Sequence, residues 1–145
     1  MSIRKAVLED YHAIKGLLDE LEYPNTESFL LRKMELIISM QNSYLYVYVA
    51  ENQVIAFIAL DFVPQLALAG DFMRISYFAV HHAWRSKGIG NELEAFCTEL
   101  SKQKGCDRIE VHCHERRKAA HQFYYRQGYV ESPKYLIKIL GPNLT

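Results

Sequence analysis

The chain predicts an α+β domain, with a central mixed, mostly antiparallel sheet of about six to seven strands flanked by about four helices. Three observations carry this. Two β-rich runs, 44–51 and 54–62, are separated by a short turn candidate. Apolar residues recur at helical spacing over 10–22 and 88–104. At 72–93 a strand pattern passes through a glycine turn directly into a helix pattern.

Taken in order, Ile3 to Ala6 reads as a short strand, and Asp10 as the N-cap of a helix reaching Glu22, with Ile14, Leu17, Leu18 and Leu21 on one face. Pro24 and Asn25 break it. Phe29, Leu30, Met34, Leu36 and Ile37 mark a second helix ending near Asn42. Tyr44 to Glu51 and Val54 to Phe62 are strands joined at Asn52-Gln53. Pro64 to Gly70 is a loop and Phe72 to Val80 the next strand. A helix from Gly88 to about Lys104 stops at Gly105, where glycine tolerates the left-handed conformation of a helix end. Ile109 to Cys113 is a strand, Ala119 to Arg126 a helix closed by Gly128, and Tyr135 to Leu140 a last strand. That strand would leave an exposed edge on which a second copy could pair as a homodimer.

The 145 residues have the size of one domain, 1–145, with no repeat or linker, and a chain of this length buries roughly 68–70% of its unfolded surface. Seventeen basic residues against seventeen acidic ones argue against nucleic-acid binding through bulk electrostatics. Cys97, Cys106 and Cys113 fit no disulfide framework and read as thiols in a reducing cytoplasm. No apolar run approaches the ~20 residues of a membrane span, so no membrane partner is expected.

Chemistry concentrates at Arg85-Ser86-Lys87-Gly88-Ile89-Gly90. First-turn N–H groups of a helix lack intrahelical partners, and the helix dipole adds partial positive charge, so the turn is suited to an anion such as a phosphate. Gly88 and Gly90 let the backbone approach it closely. Lys87 precedes Gly88, and no Ser or Thr follows to hold Mg²⁺, so a nucleotide-hydrolysing P-loop is excluded; GxGxxG is absent too.

A second motif lies downstream: Ala120-His121-Gln122-Phe123-Tyr124-Tyr125-Arg126-Gln127-Gly128-Tyr129. Together the two resemble the GNAT superfamily of acetyl-CoA-dependent N-acetyltransferases. Phe78, Val80, Arg85, Gly88, Ile89, Gly90 and Leu93 fall on the family's strand-to-loop pattern, and Ala120, Phe123, Tyr124, Gly128 and Tyr129 on its later one. His82 and Ser86 depart from it, standing where proline and glycine are usual; Ser86 would be strained if the loop needs φ > 0 there. Glu22-Tyr23-Pro24 and Arg117 through Tyr124 also resemble a subgroup that includes the aminoalkylphosphonate acetyltransferases.

The resemblance implies that the N–H groups of Ser86, Lys87, Gly88, Ile89, Gly90 and Asn91, with the Arg85 and Lys87 charges, cradle the pyrophosphate of acetyl-CoA. It implies that Phe78, Ala79 and Val80 pair with the pantetheine arm, the Val80 N–H facing the acetyl carbonyl. Ala120 and Phe123 would line the thiol side. Tyr124 occupies the general-acid position, and a phenol with a pKa near ~10 can protonate a departing thiolate.

Glu110, His112 and His114 alternate along a predicted strand and would share one face, which makes Glu110 and His112 candidates for the general base. Cys113 points opposite to the histidines, so no metal site is expected there, and His81 and His82 read as rim residues. Phe62 to Phe72 and Tyr23 to Phe29 should form the acceptor side. These segments and Asp61, with Asp71, Glu22 and Glu27, suit a small amphipathic amine. Tyr44, Tyr46 and Tyr48 share one sheet face as packing residues. A protein N-terminal or lysine acetyltransferase, a non-catalytic acyl-CoA-binding domain and a plain nucleotide-binding module are the rival readings.

Overall fold

The computed structural model describes residues 1–132 and 134–141 and forms two compact units, Met1–His112 and Cys113–Thr145. In the first unit β1 (Ser2–Lys5), β2 (Ser43–Ala50), β3 (Gln53–Val63), β4 (Asp71–Val80) and β5 (Cys106–Val111) form one sheet in that order. The first three pairings are antiparallel and β4–β5 is parallel. The helices α1 (Tyr11–Glu20), α2 (Leu30–Ser39) and α3 (Ile89–Gln103) belong to the same unit, and α4 (Lys118–Arg126) to the second.

Among the described residues the α+β class and four helices therefore hold, while the sheet has five strands instead of six to seven. The expected strand Tyr135 to Leu140 is absent: these residues carry no ladder. Its β-propensity describes fitness for a pleated, half-buried surface, and a strand exists only where a neighbour takes its hydrogen bonds. The edge expected there for a second copy goes with it.

One face of the sheet packs on α1 and α2. Leu45, Val47, Phe57, Ala59 and Ala79 meet Ile14, Leu17, Leu18, Leu30 and Met34, all buried. Asp10 caps α1 in position only, since its carboxylate serves Arg4 and the Val7 N–H instead of the helix. On the opposite sheet face, Tyr46 stacks edge-on against Phe96 of α3 at 4.8 Å. The Tyr48 hydroxyl donates to Glu92 at 2.7 Å, holding the first turn of α3 to β2.

Two boundaries differ from expectation for local reasons. The β2–β3 turn is Glu51-Asn52, with φ of 52° and 59°, because both residues of a two-residue turn with this twist need positive φ; Gln53 already pairs with Ala50. β5 begins at Cys106 and ends at Val111, so Glu110 lies on the strand but His112 and His114 lie beyond it. The expected three-residue polar face is thereby reduced to Glu110.

Candidate active site

The parallel strands β4 and β5 pair only from Asp71–Cys106 to Ile75–Val111, whereas β4 continues to Val80. On its other side β4 stays paired with β3 out to Ala56–Val80. Residues 76–80 thus have a strand on one edge and none of the five on the other. The departure begins at a bulge. The register jumps from Ala59–Tyr77 to Leu60–Ile75, leaving Ser76 as the extra residue, and such an insertion bends the strand and increases its twist. Asp61 secures it, accepting from the Ser76 hydroxyl through Oδ2 and from Ser43 through Oδ1 at 2.6 Å.

At its far end β4 runs through a short turn at His82–Trp84 into α3. Ser86 has φ 61° and Gly88 φ 84°, two left-handed residues that bend the chain into the helix. Ser86 therefore takes the strained conformation its sequence position foreshadowed. The first intrahelical bond of α3 runs from the Glu92 N–H to the Gly88 carbonyl, so the Ile89 and Gly90 N–H groups precede it. Arg85, Ser86, Lys87, Gly88 and Asn91 are exposed, while Ile89 is buried and pins the turn. The Lys87 ammonium sits 5.3 Å over the Trp84 ring, and Arg85 Nε donates to the Val80 carbonyl at 3.2 Å. A strand edge that β5 leaves after Ile75, running straight into helix-start N–H groups and two exposed cations, can bind an extended ligand that ends in phosphates.

The sheet face that carries α1 and α2 also carries a polar row across four strands. Ser43, Asp61, Arg74 and Glu110 are successive cross-strand partners and so lie side by side. Arg74 Nη2 is 3.4 Å from Glu110 Oε1, and the Arg74 guanidinium lies 5.3 Å from the Phe72 ring. Glu110 thus meets a cation at the last turns of the β4–β5 pairing. Tyr77, just past the bulge, packs edge-on with Tyr23 of the α1–α2 segment at 5.4 Å, which brings that expected acceptor segment onto β4. Asp61 and Arg74 were not among the base candidates read from sequence. Their significance depends on cross-strand neighbours that no local pattern displays.

In the second unit, Ala120, Phe123 and Tyr124 fall at i, i+3 and i+4 on α4 and share one helix face. Tyr124 packs against Phe123 and Tyr129, each at 5.2 Å. Its C-terminal end is closed by Gly128 at φ 95°. His114 is used locally, its Nδ1 accepting the Arg116 N–H at 3.1 Å.

Among the described residues, one grouping offers three metal-ligating atoms within 4.8 Å of one another: Glu20, His81 and His82. Glu20, the last residue of α1, accepts the His82 N–H at 2.9 Å and lies 3.2 Å from His82 Nδ1, 3.6 Å from His81 Nε2 and 3.8 Å from Arg85 Nη2. Partial burial works against its charge. The His82 N–H and imidazole, with smaller electrostatic contributions from His81 and His82, outweigh that and hold the Glu20 carboxyl below its ordinary range.

An α+β fold with a splayed parallel strand pair, and a phosphate-suited turn between the longer strand and a helix, defines a class of architecture suited to an extended, phosphate-bearing ligand. The sequence pattern of the acetyltransferase (GNAT) family matches residues 8–129, and the chain belongs to that family. It is similar to the aminoalkylphosphonate N-acetyltransferase of Salmonella typhimurium, 26% identical over 136 residues, covering 90% of this chain and 85% of that one. A GNAT family acetyltransferase of Staphylococcus aureus superposes with a TM-score of 0.80 at 27% identity, covering 97% of this chain and 100% of that one. A structure described as a transcriptional regulator from Bacillus halodurans gives 0.87 at 24% identity, over 96% and 99% of the two chains.

Proposed function

We propose that the chain is an N-acetyltransferase, with 1–145 acting as one cytoplasmic domain, that carries the acetyl group of acetyl-CoA directly to a primary amine of a small molecule. The observation that supports this most is that β5 leaves β4 after Ile75, while β4 runs on to Val80 and into the largely exposed turn Arg85–Asn91. On this reading the pantetheine arm extends the sheet along Phe78, Ala79 and Val80, and the pyrophosphate meets the N–H groups of Ser86 to Asn91 with Arg85 and Lys87. Ala120 and Phe123 flank the thioester. The amine nitrogen attacks the acetyl carbon while the Val80 N–H faces the developing oxyanion. The carbon–sulfur bond breaks, the Tyr124 hydroxyl protonates the leaving thiolate, and the amine proton passes to Glu110 or His112. Arg74 beside Glu110 supports Glu110 over His112 as the group that the sheet orients.

The acceptor named for the Salmonella relative is an aminoalkylphosphonate, which supports a small amine here. The deciding assay incubates the protein with acetyl-CoA and a panel of amino acids, aminoalkylphosphonates, polyamines and a lysine peptide, and detects free CoA thiol. Thiol release with a small amine is expected. Release with the peptide alone would move the acceptor to proteins, and acetyl-CoA binding without turnover on any amine would make the chain a non-catalytic acyl-CoA-binding domain.

A further inference from the structure

The connection from β4 to α3 carries the turn on which the proposed cofactor depends, yet its 3₁₀ segment, His82–Trp84, has no fully buried side chain, Trp84 being half-buried. Ahead of Ile89, which anchors the far end, its position therefore depends heavily on polar ties. The His81 N–H continues the β3–β4 ladder to the Ile55 carbonyl at 2.8 Å, and Arg85 Nε reaches back to Val80. From across the chain, Glu20 at the end of α1 reaches the segment at four points: the His82 N–H, both stacked imidazoles and the Arg85 guanidinium. None of these is a core contact, and all converge on one carboxylate.

We infer that Glu20 is a positioning residue for the cofactor turn: its carboxylate fixes the β4–α3 connection to α1 and holds Arg85 poised for the pyrophosphate. The inference rests on the proposal that acetyl-CoA phosphates dock at Arg85–Asn91. Without the carboxylate, Arg85 keeps, among the described residues, its bond to the Val80 carbonyl while its charged end samples solvent, so more of the turn's order must come from the ligand itself.

A transition-metal ion is the competing use of the same three side chains, whose spacing would suit one. His81 opposes it. Its Nδ1 accepts the Ala83 N–H at 3.1 Å, so the proton of the neutral ring is on Nε2, the atom that would have to bind the metal. Nε2 lies 3.6 Å from the Glu20 carboxylate, where a proton on it is attracted to that charge.

The test compares wild type, Glu20→Gln, Glu20→Ala, Arg85→Gln and the Glu20→Gln/Arg85→Gln double variant. CoA binding is followed by titration calorimetry, acetyl-CoA kinetics by thiol release with the best amine of the panel. Loss of a charged hydrogen-bond acceptor at this half-buried position should weaken CoA binding and raise the acetyl-CoA KM roughly 10-fold in Glu20→Gln, and further in Glu20→Ala, with kcat retained. In the Arg85→Gln background the same change should have less than half its effect, because the two residues act together. Equal CoA affinity in wild type and Glu20→Gln, or a loss confined to melting temperature and additive with Arg85→Gln, overturns the inference while leaving the acetyltransferase reading intact. Stabilisation of the wild type by added zinc, absent in Glu20→Gln, assigns the carboxylate to a metal and also overturns it. Failure of the wild type to bind CoA removes the reading beneath it, and the inference with it.

Discussion

At the scale of single residues, the backbone of the cofactor turn stores strain that mutation can read out. Ser86 at φ 61° holds a conformation that costs a non-glycine residue ~1–2 kcal/mol. Glycine would remove that cost but give back part of it as unfolded-state entropy, so Ser86→Gly should stabilise by about 0.5 kcal/mol. Gly88 is the converse. A Cβ there would meet nothing within 4 Å, yet φ is +84°, so Gly88→Ala should lose ~1–2 kcal/mol from backbone strain alone. Urea denaturation of both variants checks the pair; a Gly88→Ala variant as stable as the wild type would contradict it. Tyr124 yields a functional prediction of the same scale. Replacing it with Phe keeps the ring contacts with Phe123 and Tyr129 and deletes only the hydroxyl. Turnover should fall ~10²-fold or more while CoA affinity, measured by calorimetry, stays within about twofold. Unchanged turnover would remove Tyr124 from the acid role.

At the scale of elements, β1 and α1 are joined through one carboxylate. Asp10 is 7% exposed and receives Arg4 Nη1 and Nη2 at 2.8 and 2.9 Å and the Val7 N–H at 2.9 Å. The Arg4 hydrogen bonds, outweighing partial burial, hold the Asp10 carboxyl below its ordinary value. Asp10→Asn should cost about 2 kcal/mol at neutral pH, the high solvent exposure of Arg4 keeping it from more. Because the folded carboxyl titrates lower than the unfolded one, its contribution is complete above the ordinary value near ~3.9 and disappears as pH falls through the lowered folded value. Wild-type and Asp10→Asn stabilities measured from pH 7 down to acid should converge; a constant gap would contradict the sign. The elements themselves were legible where periodicity is long, as in α1, α3 and the β2–β3 hairpin. They were misplaced where a boundary depends on a partner. β5 starts at Cys106, three residues earlier than the expected Ile109, because Asp71 is there to pair with Cys106. The bulge at Ser76 leaves no mark in an apolar run, since register is a relation between two strands.

At the scale of the whole molecule, Cys97 reports on global unfolding. It is fully buried on α3, and burial, with a smaller contribution from Glu94, pushes its thiol up to about 12. Cys106 and Cys113 are partly exposed. A maleimide reagent at neutral pH should therefore label two thiols in the native protein, and the third only across the urea transition, because the thiolate is the reactive form and needs access. Labelling of Cys97 at the native rate of the others would show that the α3–sheet interface opens locally.

By itself the sequence determined the α+β class, four helices and the strand-to-glycine-to-helix motif, because hydrophobic period, caps and left-handed glycines act over a few residues. It also determined the pairing of that motif with Ala120–Tyr129, which marked the family. Only the tertiary structure decided that β4 leaves β5 after Ile75, that Asp61 clamps the bulge and Arg74 adjoins Glu110, and that Glu20 reaches the connection 62 residues away. It also decided that Tyr135 to Leu140 forms no strand. Each of these depends on a partner distant along the chain, and hydrogen bonds and charges are satisfied by neighbours in space, which a local pattern does not encode.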